Sequence, residues 1–137
     1  MFSPDGRWLA YSSNESGRNE VYVRSFPGPG GKWQISTDGG LYPTWSRTKH
    51  ELFFVNNGQL MVAPYAIEGD SLSAEKPQLW SEGRFRASAA SRMFDLHPDG
   101  ERFAIAAQGP GGGTQDHVTF IFNFFDELRR IAPAARK

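Results

Sequence analysis

Phe2-Ser3-Pro4-Asp5-Gly6-Arg7-Trp8-Leu9-Ala10-Tyr11 returns twice along the chain. It comes back as Trp45-Ser46-Arg47-Thr48-Lys49-His50-Glu51-Leu52-Phe53-Phe54 and as Leu96-His97-Pro98-Asp99-Gly100-Glu101-Arg102-Phe103-Ala104-Ile105. Each copy places a tight turn between two strand-like runs. Pro4 and Asp5 suit the centre of a type I turn and Gly6 the left-handed residue after it, so the flanking Phe2 and Trp8 fall on adjacent antiparallel strands. The second copy puts Arg47-Thr48-Lys49 where the others have Pro-Asp-Gly, so its turn chemistry is weaker while its flanking aromatics remain. A period of roughly 40 to 50 residues that carries only strand-like segments is the mark of stacked sheets, none of which can bury both of its faces alone.

Working outward, the strands of the first unit are a stub at Met1 to Ser3, then Trp8 to Ser12, Glu20 to Phe26 and Lys32 to Ser36. The second unit has Tyr42 to Ser46, Glu51 to Val55, Gln59 to Ala66 and Gln78 to Ser81. Asn57-Gly58, set between two apolar runs, is the strongest hairpin signal in the chain. The third has Met93 to Leu96, Arg102 to Ala107 and His117 to Phe122, and no fourth strand follows. A single helix is predicted over Phe124 to Ile131, with Asn123 as its N-cap, Phe124, Leu128 and Ile131 on one face, and Pro133 as its stop.

The whole reads as one all-β domain over residues 1–137. It is about three antiparallel blades of a β-propeller, half of a six-bladed ring. Blade one covers about 1–36, blade two about 42–81 and blade three about 92–123, with the short C-terminal helix at about 124–131.

Composition agrees and excludes other classes. The 137 residues carry 15 basic and 15 acidic side chains, aromatics make up 14%, and there are 15 glycines, 9 prolines and no cysteine. The balanced charge leaves no electrostatic footprint for a nucleic acid or an anionic membrane. The longest mainly apolar run, Val118 to Phe125, is far short of the roughly 20 residues that span a bilayer. Nothing like a signal peptide follows Met1, so the chain as written is expected in the cytoplasm.

The Ser-Pro-Asp-Gly-Arg-Trp-Leu-Ala-Tyr opening, the Glu20-Val21-Tyr22-Val23 strand, and the Trp45-Ser46 and His97-Pro98-Asp99-Gly100 echoes resemble the WD-like repeats of the TolB-type β-propeller superfamily. The resemblance covers almost the whole chain. It is nearest to the last three blades of propellers at the carboxyl end of bacterial serine/threonine kinase-like proteins, the closing Asn123 to Leu128 stretch included. It implies the fold and little about activity, since such blades occur in scaffolds, sensors and peptidase accessory domains, and TolB-like relatives are often periplasmic. No kinase Gly-rich loop, His-Arg-Asp or Asp-Phe-Gly motif and no Gly-x-Ser-x-Gly elbow is present, so neither kinase nor peptidase activity carries over.

Candidate chemistry is sparse. Gly28-Pro29-Gly30-Gly31-Lys32 lacks the first Gly and the Ser or Thr of a phosphate loop, because Phe26 and Trp33 stand there, and it reads as a hairpin loop. Gly109 to Thr114 reads as a loop. His50 and His97 fall in or beside turns and His117 begins a late strand, with no metal-ligand spacing among them. Asp5 and Asp99 read as turn formers, and Asn14-Glu15-Ser16 as a polar turn despite its sequon pattern. Arg84, Arg86 and Arg92 fill the connection into blade three, whose neighbour is the connection into blade two, Thr37 to Tyr42.

The candidate ligand mouth is therefore Asp38, Tyr42, Arg86 and Arg92, at the loops entering the innermost strands, with the Pro-Asp-Gly turns at the other end. No catalytic residue, cofactor or metal is assigned. The expected function is a non-enzymatic binding or assembly module whose partner is a second copy of itself, giving a homodimeric six-bladed ring. A peptide, protein or small molecule is the further ligand. The rival readings are an enzyme with its site at the ring centre and a fragment of a larger TolB-like sensor.

Overall fold

The computed structural model describes residues 1–84, Arg92 and 94–105. Ten strands make three antiparallel sheets, and no helix occurs among the described residues. Sheet one is β1 (Trp8–Ser13), β2 (Glu20–Ser25) and β3 (Lys32–Gln34). The stub adds to its inner edge: Phe2 bridges Leu9, and the Met1 nitrogen donates to the Ala10 carbonyl at 2.7 Å. Sheet two is β4 (Leu41–Trp45), β5 (Glu51–Asn56), β6 (Gln59–Glu68), β7 (Ser71–Ala74) and β8 (Gln78–Arg84). Sheet three, as described, is β9 (Phe94–Leu96) and β10 (Phe103–Ile105).

The three repeat turns close alike although their chemistry differs. Ser3 N donates to Trp8 O at 2.8 Å, Ser46 N to Glu51 O at 2.9 Å and His97 N to Arg102 O at 2.8 Å. In the first and third copies Gly6 and Gly100 take positive φ and bond back to Ser3 O and His97 O, as a type I turn followed by a left-handed residue requires. In the second copy Lys49 keeps to the ordinary region. There the Ser46 hydroxyl substitutes, accepting from the backbone N of Thr48 at 3.4 Å and of Lys49 at 3.2 Å. Asn57 and Gly58 both have positive φ, so the β5–β6 hairpin has the primed turn their identities predict.

Strand alternation decides where the core sits. Leu52 and Phe54 point into one apolar cluster with Trp8, Ala10, Val21 and Val23 of sheet one. Phe53 and Val55, their neighbours on the same strand, point into a second cluster with Leu60, Phe94 and the partly buried Phe103. Sheet two is thus covered on both faces, by sheet one on one side and sheet three on the other. Of the strand aromatics, Trp8, Trp45, Phe53, Phe54 and Phe94 are buried between sheets. Tyr11 is an exception: it pairs with Tyr22 on the far face of sheet one, and their rings stack with centroids 5.9 Å apart.

Three strand expectations are corrected. β6 runs on past Ala66 to Glu68 and returns through the two-residue Gly69-Asp70 turn into β7, a strand absent from the sequence reading. β6 is long enough that β8 and β7 share its outer edge, each pairing with a different half. β3 stops at Gln34, because Ser36 turns inward to bond the buried Glu20 instead of continuing the ladder. The third strand proposed for sheet three (117–122) and the helix (124–131) lie outside the described residues, as do Phe120, His117 and Arg86.

Candidate functional site

The inner segments of the three sheets converge: the stub on sheet one, β4 on sheet two and β9 on sheet three. The Trp45 indole N–H donates to Met1 O at 3.1 Å, tying β4 to the stub, and in the turns that follow β4 and β9 the Thr48 hydroxyl donates to Asp99 O at 3.0 Å. At each end of these segments lies a recess.

The recess at the loop end encloses about 470 Å³, and Tyr42 and Arg92 both line it, together with Tyr11, Ser12 and Asn19. Tyr42 has φ 57, a conformation that a bulky side chain rarely adopts, and the β4–β5 register shifts between Leu41 and Thr44. A bulge of this kind re-aims a side chain at the rim of a sheet. Arg92 is held firmly: its Nε donates to Phe94 O at 2.8 Å, its Nη2 meets Asp95 Oδ1 at 2.7 Å, and its guanidinium lies 5.0 Å from the Phe94 ring centroid.

Of the four expected mouth residues, the structure thus brings Tyr42 and Arg92 together. Asp38 does not join them. It pairs with Arg18 at 3.1 Å, at the corner where the chain passes from sheet one to sheet two. Glu20 is the centre of that corner. It is 1% exposed, and it accepts from Arg18 Nε at 2.9 Å, from the Ser36 hydroxyl and from the Gly39 N–H at 3.0 and 3.1 Å. With its lone pairs met by four donor contacts, this carboxylate is a structural bracket.

The larger recess, about 600 Å³, lies at the turn end, where Phe2, Pro4, Trp45, Arg47, His97 and Pro98 are among its walls. The sequence marks only turn residues here, with Arg47 a departure from Pro-Asp-Gly. No local pattern could have exposed it, since the walls come from three segments far apart in the chain.

The remaining candidates sit where turn chemistry puts them. Asp5 accepts from Arg7 N at 3.1 Å and from the Ser3 hydroxyl, and that hydroxyl bond first of all holds its carboxyl below the ordinary value. Asp99 accepts from Glu101 N at 2.9 Å and from Arg102 Nε at 2.6 Å, with His97 Nδ1 at 3.0 Å. The Glu101 amide first, then the Arg102 and His97 side chains, lower it to about 2. His50 stacks on Tyr65 with ring centroids 5.2 Å apart. Lys32 of the glycine-rich stretch opens β3 and pairs with Glu15 at 2.8 Å, so a strand follows that loop where phosphate binding would need a helix. Asn14 to Gly17 closes as a turn. Among the described residues no group of three His, Asp or Glu side chains is placed to hold a metal. No known protein family, curated protein or solved structure matches the chain.

Proposed function

We propose that this chain is a non-enzymatic β-propeller module of three blades, in which sheets one, two and three are the blades and a second copy completes a six-bladed ring. The observation that carries the reading is the double burial of sheet two. Its β5 strand sends Leu52 and Phe54 to one neighbour and Phe53 and Val55 to the other, which is how a blade is held within a propeller.

Sheet one is also rich in aromatics and, among the described residues, has a neighbouring sheet on one face only. Its outer face carries Phe2, 51% exposed, and Phe26, 49% exposed, with ring centroids 4.9 Å apart, beside the half-buried Leu9 and Tyr11, while Tyr22 beneath the Tyr11 ring is itself buried. Apolar patches of that kind on a soluble chain mark an interaction surface. A two-fold partner satisfies it with a closed point group. The ring's ligand, a small molecule, peptide or protein segment, is received at the loop-end mouth, where the strained Tyr42 and the anchored Arg92 face one recess.

Light scattering on the purified chain at micromolar concentration is the test. A dimer is expected, and Phe26→Asp, a change at an exposed position, is expected to yield a folded monomer. A wild-type chain that is cleanly monomeric overturns the ring.

A further inference from the structure

We infer that the turn-end recess binds an organic monocarboxylate with an apolar body, and that Arg47 is the residue that receives its charge. The recess needs only the three inner segments of one chain, so it goes beyond the ring reading and does not depend on a second copy.

Volume comes first. About 600 Å³ lies within the range of sites that accept a small organic ligand, roughly 300 to 1,000 Å³. The walls say what kind of body fits. Met1 and Phe2 line the recess and are 48% and 51% exposed, so apolar surface there meets water until something covers it. Pro4 and Pro98 have no N–H, and so the two turns that frame the recess present no backbone donor at those positions.

The polar groups lining it are already engaged, with one exception. The Trp45 indole donates to Met1 O, the Thr44 hydroxyl donates to Tyr42 O at 3.2 Å, and His97 Nδ1 is held by the Asp99 carboxylate at 3.0 Å. Asp95 is matched by Arg92 at 2.7 Å and accepts from its neighbour Leu96 N at 3.0 Å. Arg47 alone among these makes no hydrogen bond or ion pair with any described residue.

One unmatched guanidinium in a wall of prolines and aromatics selects the ligand's charge as well as its shape. Its planar fork matches a carboxylate with two parallel N–H···O bonds. A phosphate dianion asks for a second cation or a set of backbone N–H groups. The Met1 ammonium is already taken by the Ala10 carbonyl at 2.7 Å, and the second charged side chain in the walls is the carboxylate of Asp95, which disfavours a dianion. The ligand is therefore a monoanion whose hydrocarbon part lies against Phe2, Met1 and the prolines.

The experiment is an NMR titration of the whole chain, read at the Trp45 indole N–H and the Phe2 amide. The probes are 3-phenylpropionate, its neutral carboxamide and benzylphosphonate. The acid is expected to give saturable shifts at both reporters, with the carboxamide at least about tenfold weaker, the loss of a charge-assisted pair. Arg47→Gln, at an exposed position, should weaken the acid by about the same factor and leave the carboxamide unchanged. Arg24→Gln, on the outer face of sheet one, should leave both unchanged.

The proposal is overturned by any of three results: acid and carboxamide binding within about twofold of each other, Arg47→Gln without effect on the acid, or phosphonate binding tighter than the acid. Two tripeptides ending in Phe, one with a free and one with an amidated terminus, tell the sources apart. Preference for the free-terminus peptide over phenylpropionate assigns the carboxylate to a chain end, and the reverse to a small acid. A monomer that still binds the acid keeps this site and removes the ring, while a dimer that ignores it does the opposite.

Discussion

Sheet two and sheet one open with similar stretches of sequence, yet among the described residues one is covered on both faces and the other on one. In sheet two the alternating residues of β5 are almost fully withdrawn from water, from Phe53 at 0% to Val55 at 2%. In sheet one Trp8 and Ala10 are equally buried, while Leu9 and Tyr11, the alternate positions on the same strand, are half-buried. The difference teaches that burial here is conferred by the neighbour. The strand pattern prepares both faces, and position in the stack decides which of them is used.

The sharpest way to break that comparison is to remove one ring from each sheet. Phe53→Ala opens a hole between sheets two and three and is expected to cost about 3 to 5 kcal/mol in denaturant unfolding. Tyr11→Ala, on the half-covered face, should cost less than half as much in the Phe26→Asp background. Equal losses would mean that the outer face of sheet one is covered within a single chain.

The turns give the next test. Gly6 has φ 71 with nothing near the place of a Cβ, so Gly6→Ala should destabilise by about 1 kcal/mol through backbone strain alone. Gly100 has φ 75, and a Cβ there would sit 2.5 Å from Thr48 Oγ1 and 2.8 Å from Ser46 Oγ. Gly100→Ala should therefore cost more than Gly6→Ala. The matching position of sheet two holds Lys49 outside the left-handed region, and Lys49→Gly is expected to bring no gain, since no glycine conformation is called for. Chemical denaturation of the three variants ranks them.

The smallest effect is one of pH. Asp99 is lowered from the ordinary 3.8 to about 2, and Asp5 is lowered as well, whereas sheet two has Thr48 at the matching place. A carboxyl more acidic in the folded than in the unfolded chain stabilises the fold above its unfolded value. The unfolded chain takes up the proton first as pH falls, so that contribution drains away between about pH 4 and pH 2. The thermal midpoints of wild type and Asp99→Asn should differ at about pH 5 and converge near pH 2. A gap that widens on acidification would reverse the assignment.

Much of this fold is legible because its signals are local. Pro4-Asp5-Gly6 and Asn57-Gly58 each specify a turn through φ preferences alone, and the flanking apolar residues then set the register. Even the missed strand β7 left a local trace. Gly69-Asp70 is a two-residue hairpin loop, and Leu72 continues the apolar alternation of Tyr65 and Ile67 across it. Ser36 shows the opposite case: its departure from the ladder depends on Glu20, a buried charge on another strand, and no propensity of its own foretells it.

The sites divide the same way. Tyr42 and Arg92 line one recess because the segments entering β4 and β9 lie at the same end of their sheets. Asp38 does not, since its charge is taken by Arg18 in a corner that is formed only once the sheets pack. Arg47 is a site residue only by virtue of two turns, at Pro4 and Pro98, far from it in sequence.

The polar ties between sheets also have a mechanical meaning. At one end of sheet one, Glu20 and Arg18 grip the chain as it leaves for sheet two; at the other, Arg7 reaches the β6–β7 loop, bonding Gly69 O at 3.1 Å and Asp70 at 2.8 Å. Sheet three is tied to sheet two, among the described residues, at the turn end, through Thr48 to Asp99 and Lys49 to Glu101. A plate pinned at two ends cannot swing, but a plate pinned at one end can. Sheets one and two will therefore move as a single stiff body. Among the described residues, flexing between sheets two and three falls along the seam of Phe53, Trp80 and Phe103, with the Thr48 contact as its pivot.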